Sequence, residues 1–274
     1  VAGDVTDTGT LTVSGTTDID TAASNGNITL NTNEHSLNTL QVDAGTGTVL
    51  VDEADALTLQ VDGAGDVTVD AGGALTLNAG SMSNLTADAA SITDAGALTV
   101  SGEITADTSA DNGNIDLSNN VHTVATVTAN AGTGTVNIQE ADGLNLGDTT
   151  ASSLTVTTSG AVADSGTLTI SGNTTIDTSA ANGNVDLDTN THSLNTLIVN
   201  AGTGTVDVDE ADGLNLGNIT AASLTASVAG DVTDTGTLTV SGTTDIDTAA
   251  SNGNITLNTN EHSLNTLQVD AGTG

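Results

Sequence analysis

The sequence predicts an all-β protein, a right-handed parallel β-helix (β-solenoid) built from tandem repeats. Three observations support this fold class. Residues 1–47 recur unchanged as residues 228–274. Apolar pairs separated by one polar residue, such as Leu11-Thr12-Val13, recur along the whole chain, and this alternation is typical of a strand with one buried face. Gly-rich and Asn-Gly corners, such as Asn25-Gly26, separate these pairs.

The repeats define the organisation of the chain. Three related units cover about 9–95, 96–165 and 166–235, and residues 228–274 repeat 1–47. We interpret residues 1–274 as a single continuous solenoid segment of a longer tandem array. The first unit is longer than the other two, because Gly9, which opens it, lies farther from Gly96 than Gly96 lies from Gly166.

The excess length of the first unit indicates the size of one turn, about 17 residues, because only a whole-turn insertion leaves the downstream pattern intact. In the second unit, apolar pairs begin at Leu98, Ile115, Val136 and Leu154, and the series returns at Leu168. Four steps in 70 residues predict about 17–18 residues per turn and about 13 turns per 227-residue period. Successive turns of such a chain stack as parallel strands, and right-handed winding is favoured.

The composition restricts both the core and the partners. There is no aromatic residue, Cys or Pro, so the core must consist of small aliphatic side chains without disulfides, and almost every residue can donate to a β-ladder. The chain has 35 acidic residues and no Lys or Arg, a formal charge of −35. Nucleic acids and anionic membranes are therefore excluded as partners, because both are bound through basic side chains. Divalent cations are the expected partners.

The charge density predicts a specific behaviour toward ions. Six of the 35 acidic residues lie in 228–274, which leaves 29 in residues 1–227. Thirteen turns at ~4.8 Å span ~62 Å, so there is one charge per ~2 Å, close to the ~1.7 Å of duplex DNA. We expect such a fibre to condense counterions, to repel its copies at low salt, and to bundle when divalent cations are added.

No catalytic centre is predicted, and no cofactor is required. Cys and a Gly-x-Ser-x-Gly elbow are absent, and the four His residues recur in the same context, which is unlike a single active site. We interpret these His residues as polar turn residues near strand starts. A polysaccharide-acting β-helix enzyme would lack basic residues and aromatic platforms, and an ice-binding face would be interrupted by acidic residues such as Asp116. We therefore predict that the protein is not an enzyme.

Acidic residues form a candidate calcium site. If turns stack as predicted, the residues after the first apolar row place three carboxylates in one column, and a shorter pair lies in the third unit. Acidic corners add further oxygen atoms, and hard oxygen ligands suit Ca²⁺. The alternative is a solvated acidic edge with diffuse counterions. The candidate ligands are Asp52, Asp70, Asp88, Glu53, Asp55, Asp188, Asp209, Glu210 and Asp212.

Two phrases of the sequence carry a family resemblance. Gly-Thr-Leu-Thr-Val-Ser-Gly (9–15) and Gly-Asn-Ile-Thr-Leu-Asn (26–31) resemble the repeat turns of filamentous-haemagglutinin-like and related giant bacterial adhesins. The resemblance implies a right-handed β-helix, secretion, an extracellular or cell-surface location, and a role in adhesion or surface coating.

The predicted function is that of a structural shaft in a secreted bacterial filament, sheath or giant adhesin. It is non-catalytic, and its expected partners are divalent cations and copies of itself, joined by end-to-end continuation or lateral bundling. The alternative is a calcium-dependent adhesin or biofilm matrix protein with specific ion sites.

Overall fold

Twenty parallel β-strands make up the computed structural model, which describes residues 1–274. There is no α-helix, and the strands stack as a β-solenoid of about 13 turns, which confirms the predicted fold class. The chain contains no helix of the length and apolarity that a bilayer span requires. It divides into two compact units, Val1–Gln139 (unit 1) and Glu140–Gly274 (unit 2), which are described separately.

The strands vary greatly in length because several of them run through the bends of the solenoid. The first ten are β1 Val5–Thr6, β2 Thr12–Asp20, β3 Ile28–Asp43, β4 Val49–Glu53, β5 Leu57–Asp94, β6 Leu98–Asp107, β7 Ile115–Asn130, β8 Thr135–Glu140, β9 Leu144–Ala151 and β10 Ser153–Thr158. The last ten are β11 Val162–Asp164, β12 Leu168–Asp177, β13 Val185–Asn200, β14 Thr205–Glu210, β15 Leu214–Ala221, β16 Ser223–Val228, β17 Val232–Asp234, β18 Leu238–Asp247, β19 Ile255–Thr256 and β20 Ser263–Asp270.

One turn of unit 2 shows how the layers stack. The turn contains three strand segments, and each is hydrogen-bonded to an equivalent segment of the following turn. Val206 lies beside Leu224, Leu214 beside Val232, and Ile219 beside Leu238. Inward, fully buried side chains alternate with outward ones along these strands, with the alternation shifted by one residue at Gly217 of β15, so the interior is a narrow column composed mainly of Leu, Ile, Val and Ala. This alternation confirms the half-buried strand pattern that the sequence predicts.

In unit 1 the apolar spacing of the sequence predicts a row of stacked residues, and this row is confirmed in its central part. The predicted row is Leu11, Ile28, Val49, Val67, Leu85 and Leu98. Ile28 pairs with Val49 and Val49 pairs with Val67, as the sequence predicts. The ends of the row were assigned wrongly. Val5 and not Leu11 pairs with Ile28, and Leu85 pairs with Ile104.

The reason for these differences is that the bends are longer than the apolar spacing indicates. The Leu-Thr-Val strand of each repeat stacks on the following His-containing strand, so Thr169 pairs with Ser193 in a layer longer than the average turn. His192 then pairs with Glu210, and Glu210 with Val228, in two shorter layers. A 70-residue repeat therefore takes more than three turns but fewer than four, and equivalent residues of successive repeats do not lie directly above each other.

Polar corners hold neighbouring turns together. Asn182 has a φ of 55°, in the left-handed region that Asn tolerates better than most residues, and its Oδ1 accepts the Thr203 N–H of the next turn at 2.9 Å. Within the corner, the Thr178 hydroxyl donates to the Gly183 carbonyl at 2.6 Å. The same left-handed conformation and the same inter-turn bond occur at Asn25, Asn112 and Asn252.

Substitutions at Asn182 separate the two contributions of this corner. Asn182→Ala removes the acceptor and forces a Cβ-bearing residue into the left-handed region, so we expect a loss of about 2 kcal/mol of unfolding free energy. Asn182→Gly removes only the acceptor and should cost about 1 kcal/mol. Urea denaturation of both variants measures the difference, with Asn182→Asp, which keeps Oδ1, as the control. Equal stability of the Ala and Gly variants would show that the corner conformation does not limit the residue choice.

Candidate functional site

An acidic column runs along the outside of unit 1, as predicted. Asp52 pairs with Asp70 in register on adjacent strands β4 and β5, and Asp88 pairs with Asp107 on β5 and β6. Asp70 and Asp88 are exposed, and Asp52 is half-buried. Partial burial together with the charges of Asp70, Asp107 and Asp111 raises the pKa of Asp88. The column therefore contains mutually repelling carboxylates, and it continues from Asp88 to Asp107.

Unit 2 contains a second group of carboxylates at the predicted pair Asp188 and Asp209. Two further residues, Asp186 and Asp207, lie beside them and are paired in register on β13 and β14. A hydrogen bond with the Asp188 carboxyl group, burial, and the charges of Asp188 and Asp207 raise the pKa of Asp186. Burial and the charges of Asp188 and Asp209 raise the pKa of Asp207. Four carboxylates on adjacent strands thus lie within electrostatic reach of each other.

The Glu residues of the acidic corners do not lie with these outward-facing carboxylates. Glu53 and Glu210 point into the interior and are only 1% and 2% exposed. Glu53 accepts the Leu37 N–H at 2.9 Å, and Glu210 accepts the Leu194 N–H at the same distance. Because these carboxylates serve backbone donors inside the solenoid, assigning them as ligands of an outer ion was wrong.

The remaining corner residues, Asp55 and Asp212, are exposed and bind Ser hydroxyls of the preceding turn. The Ser36 hydroxyl donates to Asp55 at 3.1 Å, and the Ser193 hydroxyl donates to Asp212 at 2.8 Å. No group of three or more His, Asp or Glu side chains in the chain is arranged to hold a metal ion.

A buried Asp–His pair recurs four times and was not predicted. In each pair His Nε2 lies 3.5–3.8 Å from an Asp Oδ2, and the His side chains are 0–9% exposed. The sequence separation between the Asp and the His is the same in every copy. The pairs are Asp7–His35, Asp94–His122, Asp164–His192 and Asp234–His262.

The hydrogen bonding of these rings defines what they can do chemically. Nδ1 of His192 accepts the Leu168 N–H at 3.1 Å, and Nδ1 of His122 accepts the Leu98 N–H at 3.0 Å. A ring whose Nδ1 accepts a hydrogen bond carries its proton on Nε2. Neither nitrogen then offers a free lone pair to a metal ion or a substrate proton. The rings connect one turn to the next, and the interpretation as simple turn residues near strand starts omitted this inward contact.

The same polar groups satisfy the backbone around them. Asp164 Oδ1 accepts the Thr189 N–H at 3.2 Å, and its Oδ2 accepts the Asn190 side-chain amide at 2.9 Å. Around His35 and His192 the bends are therefore closed by an Asp, a His and a Glu from three different turns. The constant spacing from Asp to His and from His to Glu was the signal in the sequence that could have identified the set, for example Asp7, His35 and Glu53.

A family comparison agrees with the repeat period. A protein-family model described as "Repeats of unknown function (DUF5649)" matches residues 1–44, 64–131, 133–201 and 203–270. These matches recur at nearly the 70-residue period of the sequence. Neither the curated proteins nor the solved structures gave a match to this chain.

The buried Glu210 predicts a pH dependence. Burial, with the nearby charge of Asp212, raises the pKa of Glu210 from its ordinary 4.5 to about 7, although the N–H groups of Leu194 and Asp212 partly oppose this shift. Between about pH 4.5 and 7 the folded chain holds a proton that the unfolded chain has released, so this carboxyl group stabilises less as the pH rises. We therefore expect the unfolding free energy of Glu210→Gln, measured relative to that of wild type, to be roughly 1–3 kcal/mol higher at pH 8 than at pH 4.5.

Urea denaturation at the two pH values measures this gain, and the exposed Glu261→Gln serves as the matched control. A stability difference between Glu210→Gln and wild type that is the same at both pH values would contradict the prediction.

Proposed function

The chain belongs to the family of repeats described as DUF5649, and we propose that its function is that of a non-catalytic structural shaft in a secreted bacterial filament, sheath or giant adhesin. One observation carries the proposal. Polar side chains of the bends such as His192 and Glu210 are turned inward to join successive turns, whereas acidic side chains such as Asp70 and Asp88 lie on the exterior. Such a division of roles suits a rod that holds its length and stays dispersed.

The buried groups support a structural role over a catalytic one. In the Asp164–His192 pair both side chains are at most 4% exposed, and both ring nitrogens are directed at groups of the protein. A general base needs access to a substrate proton within hydrogen-bond reach. The same arrangement recurs in every repeat, as a structural element does.

The location and the partners follow from the sequence resemblance and from the charge. The turns resemble those of filamentous-haemagglutinin-like adhesins, and we place this chain outside the cell or at its surface. Its partners are copies of itself and divalent cations. Thirty-five uncompensated acidic groups repel a neighbouring copy at low salt, and divalent counterions reverse this repulsion.

A calcium-dependent adhesin or biofilm matrix protein is the second candidate. The observation that favours it is the column Asp52, Asp70, Asp88 and Asp107, whose members follow one another on successive turns. Neighbouring carboxylates ~5 Å apart repel by roughly 1–3 kcal/mol depending on solvent exposure, and a specifically bound Ca²⁺ would remove that repulsion.

The two candidates differ in their response to ions. We expect the dispersed chain to associate laterally on addition of Ca²⁺ or Mg²⁺ at similar concentrations, because a diffuse layer responds to ion charge more than to coordination geometry. Light scattering and sedimentation velocity across a titration of each ion measure this association. Association that is indifferent to Ca²⁺, Mg²⁺ and ionic strength would refute the proposed function.

A pair of triple variants with equal charge change makes the test specific. Asp52→Asn/Asp70→Asn/Asp88→Asn removes the column, and Asp18→Asn/Glu34→Gln/Glu261→Gln removes three exposed acids elsewhere. If the ions bind diffusely, both variants should show the same small shift in the ion concentration at which association is half complete. The calcium-dependent adhesin would be supported instead if the chain associated at Ca²⁺ concentrations far below those needed for Mg²⁺, and if only the column variant lost this preference for Ca²⁺.

A further inference from the structure

The buried Asp–His pairs contain a feature that the proposed shaft does not need. In a purely structural contact an uncharged residue such as Asn would suffice, as at Asn182. Here each repeat instead contains a titratable ring, His35, His122, His192 or His262, in a sequence with no other basic side chain. The ring is the side chain whose ordinary pKa lies closest to neutral pH.

The geometry around His192 makes its charge state depend on an inter-turn bond. The Leu168 N–H points at Nδ1 from 3.1 Å, so the neutral ring holds its proton on Nε2, facing Asp164 Oδ2 at 3.8 Å. The charged ring requires a second proton on Nδ1. That proton and the Leu168 N–H cannot occupy the same position, so charging the ring breaks the bond between the two turns.

The charged groups around the ring are few. Asp164 faces it from β11, and Asp209 and Glu210 approach from β14, while β12 supplies the Leu168 N–H. Burial lowers the pKa of His192, and outweighs the opposing effect of Asp164 and Asp209. The same balance of burial against Asp94 lowers the pKa of His122. Because Glu210 takes up its own proton near pH 7, it is largely neutral once the His would charge.

We propose that the buried imidazole of each repeat is an acid-sensitive switch that joins two turns when neutral and releases the Leu N–H of the preceding turn when charged. The sign follows from linkage. For His122 and His192, the opened ring has an ordinary pKa of about 6.5 and the closed ring a lower one, so the closed state is favoured above pH 6.5 and is weakened as the pH falls below it. An Asp carboxyl group with the ordinary pKa of ~3.9 remains ionised at pH 5, which separates the His step from the acid denaturation that protonation of such groups causes.

Nuclear magnetic resonance of the uniformly ¹⁵N-labelled chain tests the switch without any substitution. At pH 7.5, long-range ¹H–¹⁵N correlations should show Nδ1 as an unprotonated nitrogen and Nε2 as a protonated one. Hydrogen exchange rates, corrected for the intrinsic exchange rate, give the equilibrium constant for opening of each amide. For the Leu98 and Leu168 amides this constant should rise by up to about tenfold for each pH unit that the pH falls below 6.5.

Two neighbouring amides provide the internal control. Leu144 donates to the Ala161 carbonyl and Leu214 donates to the Asp231 carbonyl, each at 2.9 Å, and neither acceptor titrates. Their opening should stay constant between pH 7.5 and 5. A proton on Nδ1 at pH 7.5, or Leu98 and Leu168 amides that open no faster than these controls, would overturn the proposal.

The variant His192→Asn adds a test at a single site, because Asn Oδ1 can accept the Leu168 N–H but does not titrate. In this variant the Leu168 amide should lose its pH dependence, while the Leu98 amide, whose partner His122 is unchanged, should keep it. If Leu168 remained acid-sensitive in the variant, the titrating group would not be the ring and the switch would be refuted. If the variant failed to fold, the wild-type measurement alone would decide.

Discussion

The parallel hydrogen-bonded ladder between successive turns is the constraint on which the rest of the structure depends. In such a ladder a displacement of one residue moves every inward side chain to the outside, so each turn must keep its register with both neighbours. The chain meets this requirement by alternation, as in Val206, Val208 and Glu210, all of which point inward on β14. The absence of Pro follows from the same requirement, since a ladder with partners on both sides needs every backbone donor.

The ladder is interrupted at several of the bends, and the polar chemistry of the molecule is concentrated there. Buried amides left without a strand partner must find another acceptor. His192 and Glu210 supply one each, to the Leu168 and Leu194 amides, and Asn182 supplies one to the exposed Thr203 amide at a corner. Apart from the Asp residues of the Asp–His pairs and the buried Glu residues of the bends, the acidic side chains are partly or fully exposed, where their repulsion costs least. The proposed shaft and the proposed pH response both arise from this division between inward acceptors and outward charge.

The sequence predicted the fold class because the alternation and the repeats are local features, and the central row Ile28, Val49 and Val67 is confirmed at its predicted spacing. It did not predict the length of every turn, because the path of the bends depends on which strand each segment stacks against. The outer column Asp52–Asp70–Asp88 followed from the row, whereas the inward direction of Glu53 and Glu210 and the Asp–His contacts required the three-dimensional register. A carboxylate near a corner looks the same in the sequence whether it faces water or a backbone amide.

Deletion of one complete turn tests most directly whether the stacked turn is the structural unit. Removing residues 67–84 brings Leu85 to the register position of Val67 and keeps the alternation. Removing only residues 67–75 places Thr76 there and turns Leu77 outward. Circular dichroism and thermal unfolding should show a β-rich, cooperatively unfolding protein after the whole-turn deletion and a loss of both properties in unit 1 after the half-turn deletion. Equal tolerance of the two deletions, or equal damage from them, would contradict the account.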